Sequence, residues 1–194
     1  VVLCVSVAVV SVVGGGVLAF APNLGGLGHH RRAQVLLTGW GPFLNFSTNP
    51  SELVARRLAR DGCSVEWDDA LGSFELCFDV HVLPVNRSGV LRVQEELERR
   101  KKRKEEMPSA VLHLGLENVA LGLRMETVGA NFEANPSGGE PLGPAIPGAA
   151  DILPSTADLG RMEVVGGAVW SRNAGKYFCN ELLFRSLHSI RSQN

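Results

Sequence analysis

Cys179 is the residue of this sequence best placed to do covalent chemistry. It stands early in a predicted C-terminal helix, just after Ala174-Gly175, where backbone N–H groups and the helix dipole favour a thiolate. Such a thiolate can attack an amide carbonyl and hold the acyl group. Glu126 closes the alternating run Leu121, Leu123, Met125, a strand end from which a carboxylate can orient a base. Trp40 and Phe43, in a Gly- and Pro-rich turn after an apolar run, offer flat faces to a small uncharged ligand. Each has a plainer reading: a cysteine on an apolar helix face is more often inert packing, a strand-end glutamate is often a surface group, and both aromatics suit a core.

Other chemistries find less support. Cys4, Cys63, Cys77 and Cys179 form no C-x-x-C pair and the five histidines show no H-x-x-x-H spacing, so no metal site is expected. A Cys63–Cys77 bridge stays open if the compartment is oxidising. Leu44 stands where the third glycine of G-x-G-x-x-G is needed, which disfavours a phosphate loop. The net charge is −1, and the one dense run, 99–106, follows apolar Leu91, Val93 and Leu97. It reads as a solvated helix end, so no nucleic-acid partner is expected. Two triplets, Asn45-Phe46-Ser47 and Asn86-Arg87-Ser88, fit the N-glycosylation acceptor. Chance produces such triplets often, and alone they carry no reading.

The elements that must position these residues alternate between strand and helix. Residues 34–38 read as a buried strand, and Asn49-Pro50-Ser51-Glu52 reads as a cap, a first-turn proline and the start of a helix that Gly62 stops. Leu76, Phe78, Val80 and Val82 alternate with polar residues as in a strand. A charged helix is expected over 87–107, strands over 110–115 and 121–126, a long Pro/Gly-rich loop over 135–160 with one short helix near 156–159, and a last strand over 163–171. Leu183, Leu187 and Ile190 continue from Cys179 at helical spacing, which predicts an amphipathic helix. The implied class is α/β, a three-layer α/β/α sandwich around a mostly parallel or mixed sheet. Ligands in such folds bind at strand C-termini, where 39–43, Glu126 and Cys179 are expected.

The domain is expected over 34–194. Residues 1–33 begin at Val1, run apolar to Phe20, pass through Ala19-Phe20-Ala21 and end on the basic 29–32. That is the shape of a secretory or plastid presequence, removed on processing, with a membrane anchor as competitor. The chain is thus expected to be a fragment or processed product whose first segment engages a targeting machinery or a membrane. A Val-rich strand of the domain itself is the remaining alternative.

Three stretches resemble pyroglutamyl peptidase I, a cysteine peptidase family. They are Leu37-Thr38-Gly39-Trp40-Gly41-Pro42-Phe43 with Asn49-Pro50-Ser51, then Met125-Glu126-Thr127-Val128-Gly129-Ala130-Asn131, and Ser171-Arg172-Asn173-Ala174-Gly175-Lys176-Tyr177-Phe178-Cys179-Asn180. The resemblance implies a phosphorylase/hydrolase-like fold, Cys179 as nucleophile, Glu126 as the group that orients a histidine, and Trp40, Phe43 and Asn49 at the substrate. It implies no cofactor and pyroglutamyl peptides as substrates; self-association stays open. Trp40 departs from the phenylalanine usual there. In the family the catalytic histidine follows the nucleophile's helix on a further strand, which would need about 20 residues, whereas 15 follow Cys179. His188, nine residues on, projects from the opposite side of the helix, and His81 and His113 read as sheet residues. Two expectations follow: a peptidase whose base lies beyond this sequence, or a catalytically silent pyroglutamyl-peptide binder or incomplete product.

Overall fold

Leu36 and Leu37 are both fully buried, yet they point to opposite faces of β2 (Arg31–Trp40), because strand side chains alternate. Leu36 packs with Val90, Val93 and Leu97 of α2 (Arg87–Arg103) and with Leu182, Leu183 and Leu187 of α3 (Phe178–Arg191). Leu37 packs with Ala55 of α1 (Pro50–Asp61). Helices therefore cover both faces of one sheet, the α/β/α sandwich expected. The computed structural model describes residues 2–8, 31–43, 47–68, 72–117, 122–162 and 168–192.

The main sheet has seven strands in the order β3 (Ser64–Asp68), β4 (Gly72–Leu83), β2, β5 (Ala110–Glu117), β1 (Val2–Ala8), β6 (Arg124–Glu126) and β9 (Val169–Ser171). β2 is parallel to both β4 and β5. β1 is antiparallel to β5, and β6 and β9 follow the direction of β1. The sheet is mixed, with β1, β6 and β9 running against β2, β4 and β5. A small second sheet pairs β7 (Val128–Ala130) with β8 (Ile152–Pro154). β8 lies within the stretch read as loop; the short helix expected there is a 3-10 turn at Leu159–Arg161.

The N-terminal apolar segment, expected outside the domain, contributes β1 between β5 and β6. Its continuation, 9–30, lies outside the described residues, as do 163–167 at the start of the expected last strand.

The helix termini follow local chemistry. Asn49 caps α1, its Oδ1 accepting from the Ser51 N–H at 3.1 Å. Asn86 caps α2 in the same manner, accepting from the Gly89 N–H at 3.2 Å. α2 stops at Lys104, short of the expected 107, because Lys104 turns left-handed (φ 55°) and the N–H groups of Lys104 and Glu105 close on Lys101 and Arg100 carbonyls. Those two bonds satisfy carbonyls the helix end would leave open. The basic run is not wholly solvated: Arg100 is buried and pairs with Asp79 of β4 and with Glu96. Between 178 and 190 only Cys179 and His188 are partly exposed, so α3 is buried nearly all round rather than amphipathic. It is enclosed by α2, β7, β8, β1 and β5.

Cys63 and Cys77 are joined in a disulfide that ties the lead-in of β3 to β4. Glu75 lies close by, but both sulfurs are consumed in the bond, and the Arg32 Nε donates to Cys77 Sγ at 3.2 Å.

Candidate active site

Cys179 is the second residue of α3 and is partly buried. The turn before it is built by Gly175, whose φ of 80° suits glycine, and by Asn173, whose Oδ1 accepts from the Gly175 N–H at 3.1 Å. The thiol differs from the expectation of a lowered pKa: it is pushed up to about 11. Burial is the main cause. A hydrogen bond from the Trp40 side chain opposes it, and the charges of Glu117 and Glu126 add to the rise. The helix N-terminus does favour a thiolate, but desolvation and two nearby carboxylates outweigh it.

Aromatic rings form an unbroken series that includes the two residues preceding that cysteine. Phe43 lies 5.6 Å from Tyr177, Tyr177 lies 4.3 Å from Phe178, and Phe178 stacks with Trp40 at 6.3 Å, centroid to centroid. Trp40 is buried in the core between β2, α2 and α3, whereas Phe43 and Tyr177 are only partly buried. The accessible aromatic faces are therefore Phe43 and Tyr177, with Trp40 as backing. Tyr177 belongs to a matched motif but was not singled out as a pocket residue; the reason it can serve is its position two residues before the sulfur. Gly89 makes room for this packing, since a Cβ there would lie 2.0 Å from the Pro84 carbonyl oxygen and 3.2 Å from the Trp40 ring.

Asn49 lies buried, with Oδ1 occupied by the Ser51 N–H and by the Ser51 hydroxyl at 2.8 Å. Ser51 Oγ in turn accepts the Trp40 backbone N–H at 3.0 Å. Asn49 thus reaches the aromatic turn through Ser51.

Glu126 is buried at the end of β6. Its Oε2 accepts from the Asn173 N–H at 3.0 Å, which fixes the start of the turn that leads to Cys179. Arg124 Nε lies 3.3 Å from Glu126 Oε1 without the alignment of a hydrogen bond. Because β6 runs against β2, Glu126 is not at the common strand edge expected. It lies level with Ser6, and Ser6 with His113 and Thr38, two residues short of Trp40.

None of the described histidines bonds the Cys179 sulfur. His113 is buried between Thr38 Oγ1 (2.9 Å) and Ser186 Oγ (3.0 Å), and burial lowers its pKa to about 3. His81 faces Asp79 at 3.2 Å, and His188 packs against Phe184 at 6.4 Å.

A group that sequence reasoning missed is Glu181. It is fully buried one helical step past Asn180, pairs with Arg87, and accepts from Arg185 Nε at 2.7 Å and from the Ala134 N–H at 2.9 Å. Asn180 adds a two-way bond to the Ala130 backbone at 2.9 and 2.8 Å. Together they bind the 131–146 loop to the first turn of α3. The only sequence signal was a glutamate inside the matched helix. An open groove of about 640 Å³ over α1, lined by Arg56, Ala59, Arg60, Val80 and Val82, shares no residue with this cluster.

No protein-family profile matches the chain. Pyrrolidone-carboxylate peptidase of Oceanobacillus iheyensis is 30% identical over 169 residues, which cover 82% of this chain and 77% of that protein. The chain belongs to the pyrrolidone-carboxylate peptidase family. The enzyme of that name from Pyrococcus furiosus is 29% identical over 165 residues, 80% of this chain and 72% of its own length. Among solved structures, pyrrolidone carboxyl peptidase from Thermus thermophilus superposes with a TM-score of 0.55 at 26% identity, covering 79% of this chain and 77% of that one. A variant of the Pyrococcus furiosus protein reaches 0.59 at 24% identity, which speaks to the fold. The pyrrolidone-carboxylate peptidase family accounts for the mixed sheet and three helices, and it makes this a peptidase-family chain.

Proposed function

We propose that the chain is a cysteine-type omega peptidase that removes N-terminal pyroglutamate, with Cys179 as nucleophile. The observation that carries this reading is the position of Cys179 on the first turn of α3, immediately after the Phe43–Tyr177–Phe178–Trp40 series. A five-membered lactam is flat and uncharged, and aromatic faces beside a nucleophile suit it. The sulfur attacks the carbonyl that joins the lactam to the next residue. An S–C bond forms, the amide C–N bond breaks, and the thiol proton ends on the departing amine; water then hydrolyses the thioester. Glu126 acts as a positioning residue that holds the turn at Asn173. A thiol near 11 needs a base to lose its proton at neutral pH, so turnover requires an imidazole from outside the described residues.

A second reading, a silent binder of pyroglutamyl peptides, is favoured by that raised thiol and by the engagement of His81, His113 and His188 elsewhere. Release of aminocoumarin from pyroglutamyl-aminocoumarin separates the two. The peptidase reading expects thiol-dependent release that Cys179→Ala abolishes; release unchanged in that variant ends it. Calorimetric binding of a pyroglutamyl peptide without release selects the binder, and neither binding nor release removes both.

A further inference from the structure

Cys63 and Cys77 are unequal partners in their bridge. Cys63, just past the Gly62 cap of α1, is exposed, whereas Cys77 is buried at 3% exposure. A nucleophile from solvent can therefore reach the first sulfur and not the second. Arg32 of β2 stands over both: its Nε donates to Cys77 Sγ at 3.2 Å, and its Nη2 lies 3.9 Å from Cys63 Sγ. A guanidinium in that position favours a departing thiolate. The pairing of β3 with β4 matches Val65 with Glu75 and Ser64 with Leu76, so 63 and 77 stand opposite each other as the next step of the same ladder. The backbone thus holds the two sulfurs face to face whether or not they are bonded. Glu75 and the two sulfurs lie within 4.8 Å of one another, a spacing that suits a metal ion once the bridge is open. Arg32, 3.6 Å from Glu75, already supplies a cation there, so exchange chemistry is the better fit. Where thiols keep a compartment reducing, bridges are of the kind that open and close.

We propose that Cys63 is a thiol-exchange site for a small thiol of the glutathione class, and that the bridge to Cys77 is reversible. The small thiolate attacks Cys63 Sγ, a mixed S–S bond forms, the 63–77 bond breaks, and the electron pair leaves on Cys77 Sγ beside Arg32. A second small thiolate attacks the sulfur of the first, which releases the small disulfide and leaves Cys63 as a thiolate. Two small thiols are oxidised, and the bridge takes up two electrons. In the reverse direction the Cys77 thiolate attacks the mixed disulfide at Cys63 and expels the small thiol. Because the two residues stay opposed on the ladder, that closure is intramolecular and favoured by proximity.

The test incubates the folded full chain with reduced glutathione, denatures it in N-ethylmaleimide to trap free thiols, and maps the peptides by mass spectrometry. The expected result is a glutathione adduct on Cys63, a maleimide adduct on Cys77, and a restored bridge when glutathione disulfide replaces the thiol. Arg32→Gln should slow opening at least about threefold, because the leaving thiolate loses its cation, and Arg32→Lys should recover most of the rate. Arg32 is exposed, so both variants should melt as cooperatively as the parent. In Cys77→Ser, which has no resolving thiol, glutathione disulfide should leave a lasting adduct on Cys63. A glutathione adduct on Cys77 in the parent, an unchanged rate in Arg32→Gln, or a bridge that opens only after unfolding overturns the proposal.

Discussion

Two buried carboxylates, Glu126 and Glu181, sit within reach of the same helix start and do different work. Glu181 is matched by two guanidinium groups and a backbone N–H, and it clamps α2, α3 and the 131–146 loop together. Glu126 accepts from the Asn173 N–H, lies 3.3 Å from Arg124 Nε, and its charge is felt by the Cys179 sulfur. Equal burial thus says little about role. What separates the two is that Glu126, and not Glu181, is among the charges felt at the Cys179 sulfur.

Glu181→Ala should break the comparison most violently. It strands Arg87 and Arg185 and should cost about 3–5 kcal/mol, the usual loss when one partner of a buried pair is removed; chemical denaturation would read it. A loss under about 1 kcal/mol would make Glu181 an ordinary surface-type pair.

His113 supplies a third case, a buried titratable group with no cationic or anionic partner. Its folded pKa is about 3 against an ordinary value near 6.5, so the unfolded chain binds the proton more readily. Stability from this group is complete above about pH 6.5 and is lost as pH falls toward 3, by about 2 kcal/mol at pH 5. Melts between pH 7 and 5 should show this loss, and His113→Gln should flatten it.

Glu126→Gln should sharpen the contrast with a smaller effect on stability than Glu181→Ala. Removing its charge lowers the thiol pKa, so iodoacetamide should alkylate Cys179 faster at a fixed pH near 8. Peptidase turnover, where present, should fall in the same variant. Faster alkylation with unchanged turnover would deny Glu126 a positioning role. The smallest effect is expected from Trp40→Phe. Loss of the indole hydrogen bond raises the thiol further and slows alkylation, while the remaining ring keeps the stack with Phe178. In the parent, alkylation should climb about tenfold per pH unit between pH 8 and 10, since a thiol near 11 is still mostly protonated there.

Much of this was legible locally. Asn49-Pro50 announces α1 through cap chemistry, alternation over 76–82 announces β4, and the spacing after Cys179 announces α3. The aromatic turn and the cysteine could be paired by motif, although their mutual packing through Tyr177 could not. What stayed hidden depends on distant partners. The burial of Glu181 rests on Arg87, 94 residues away. β3 alternates polar and apolar residues over only five positions, too few to stand out, and its apolar Val65 and Trp67 are exposed at the sheet edge rather than buried. The level of Glu126 in the sheet is set by β1, parallel to β6 but antiparallel to β5, whose pairing no nearby residue encodes. The all-round burial of α3 likewise comes from a second small sheet formed across a stretch that reads as loop.

β1 joins residues near the start of this sequence to a strand more than a hundred residues further along it, as in the pairing of Val2 with Glu117. Contacts of such separation form slowly, so the lane between β5 and β6 should be filled late in folding. Until Val2–Ala8 docks, β5 and β6 are left facing each other across a vacant lane.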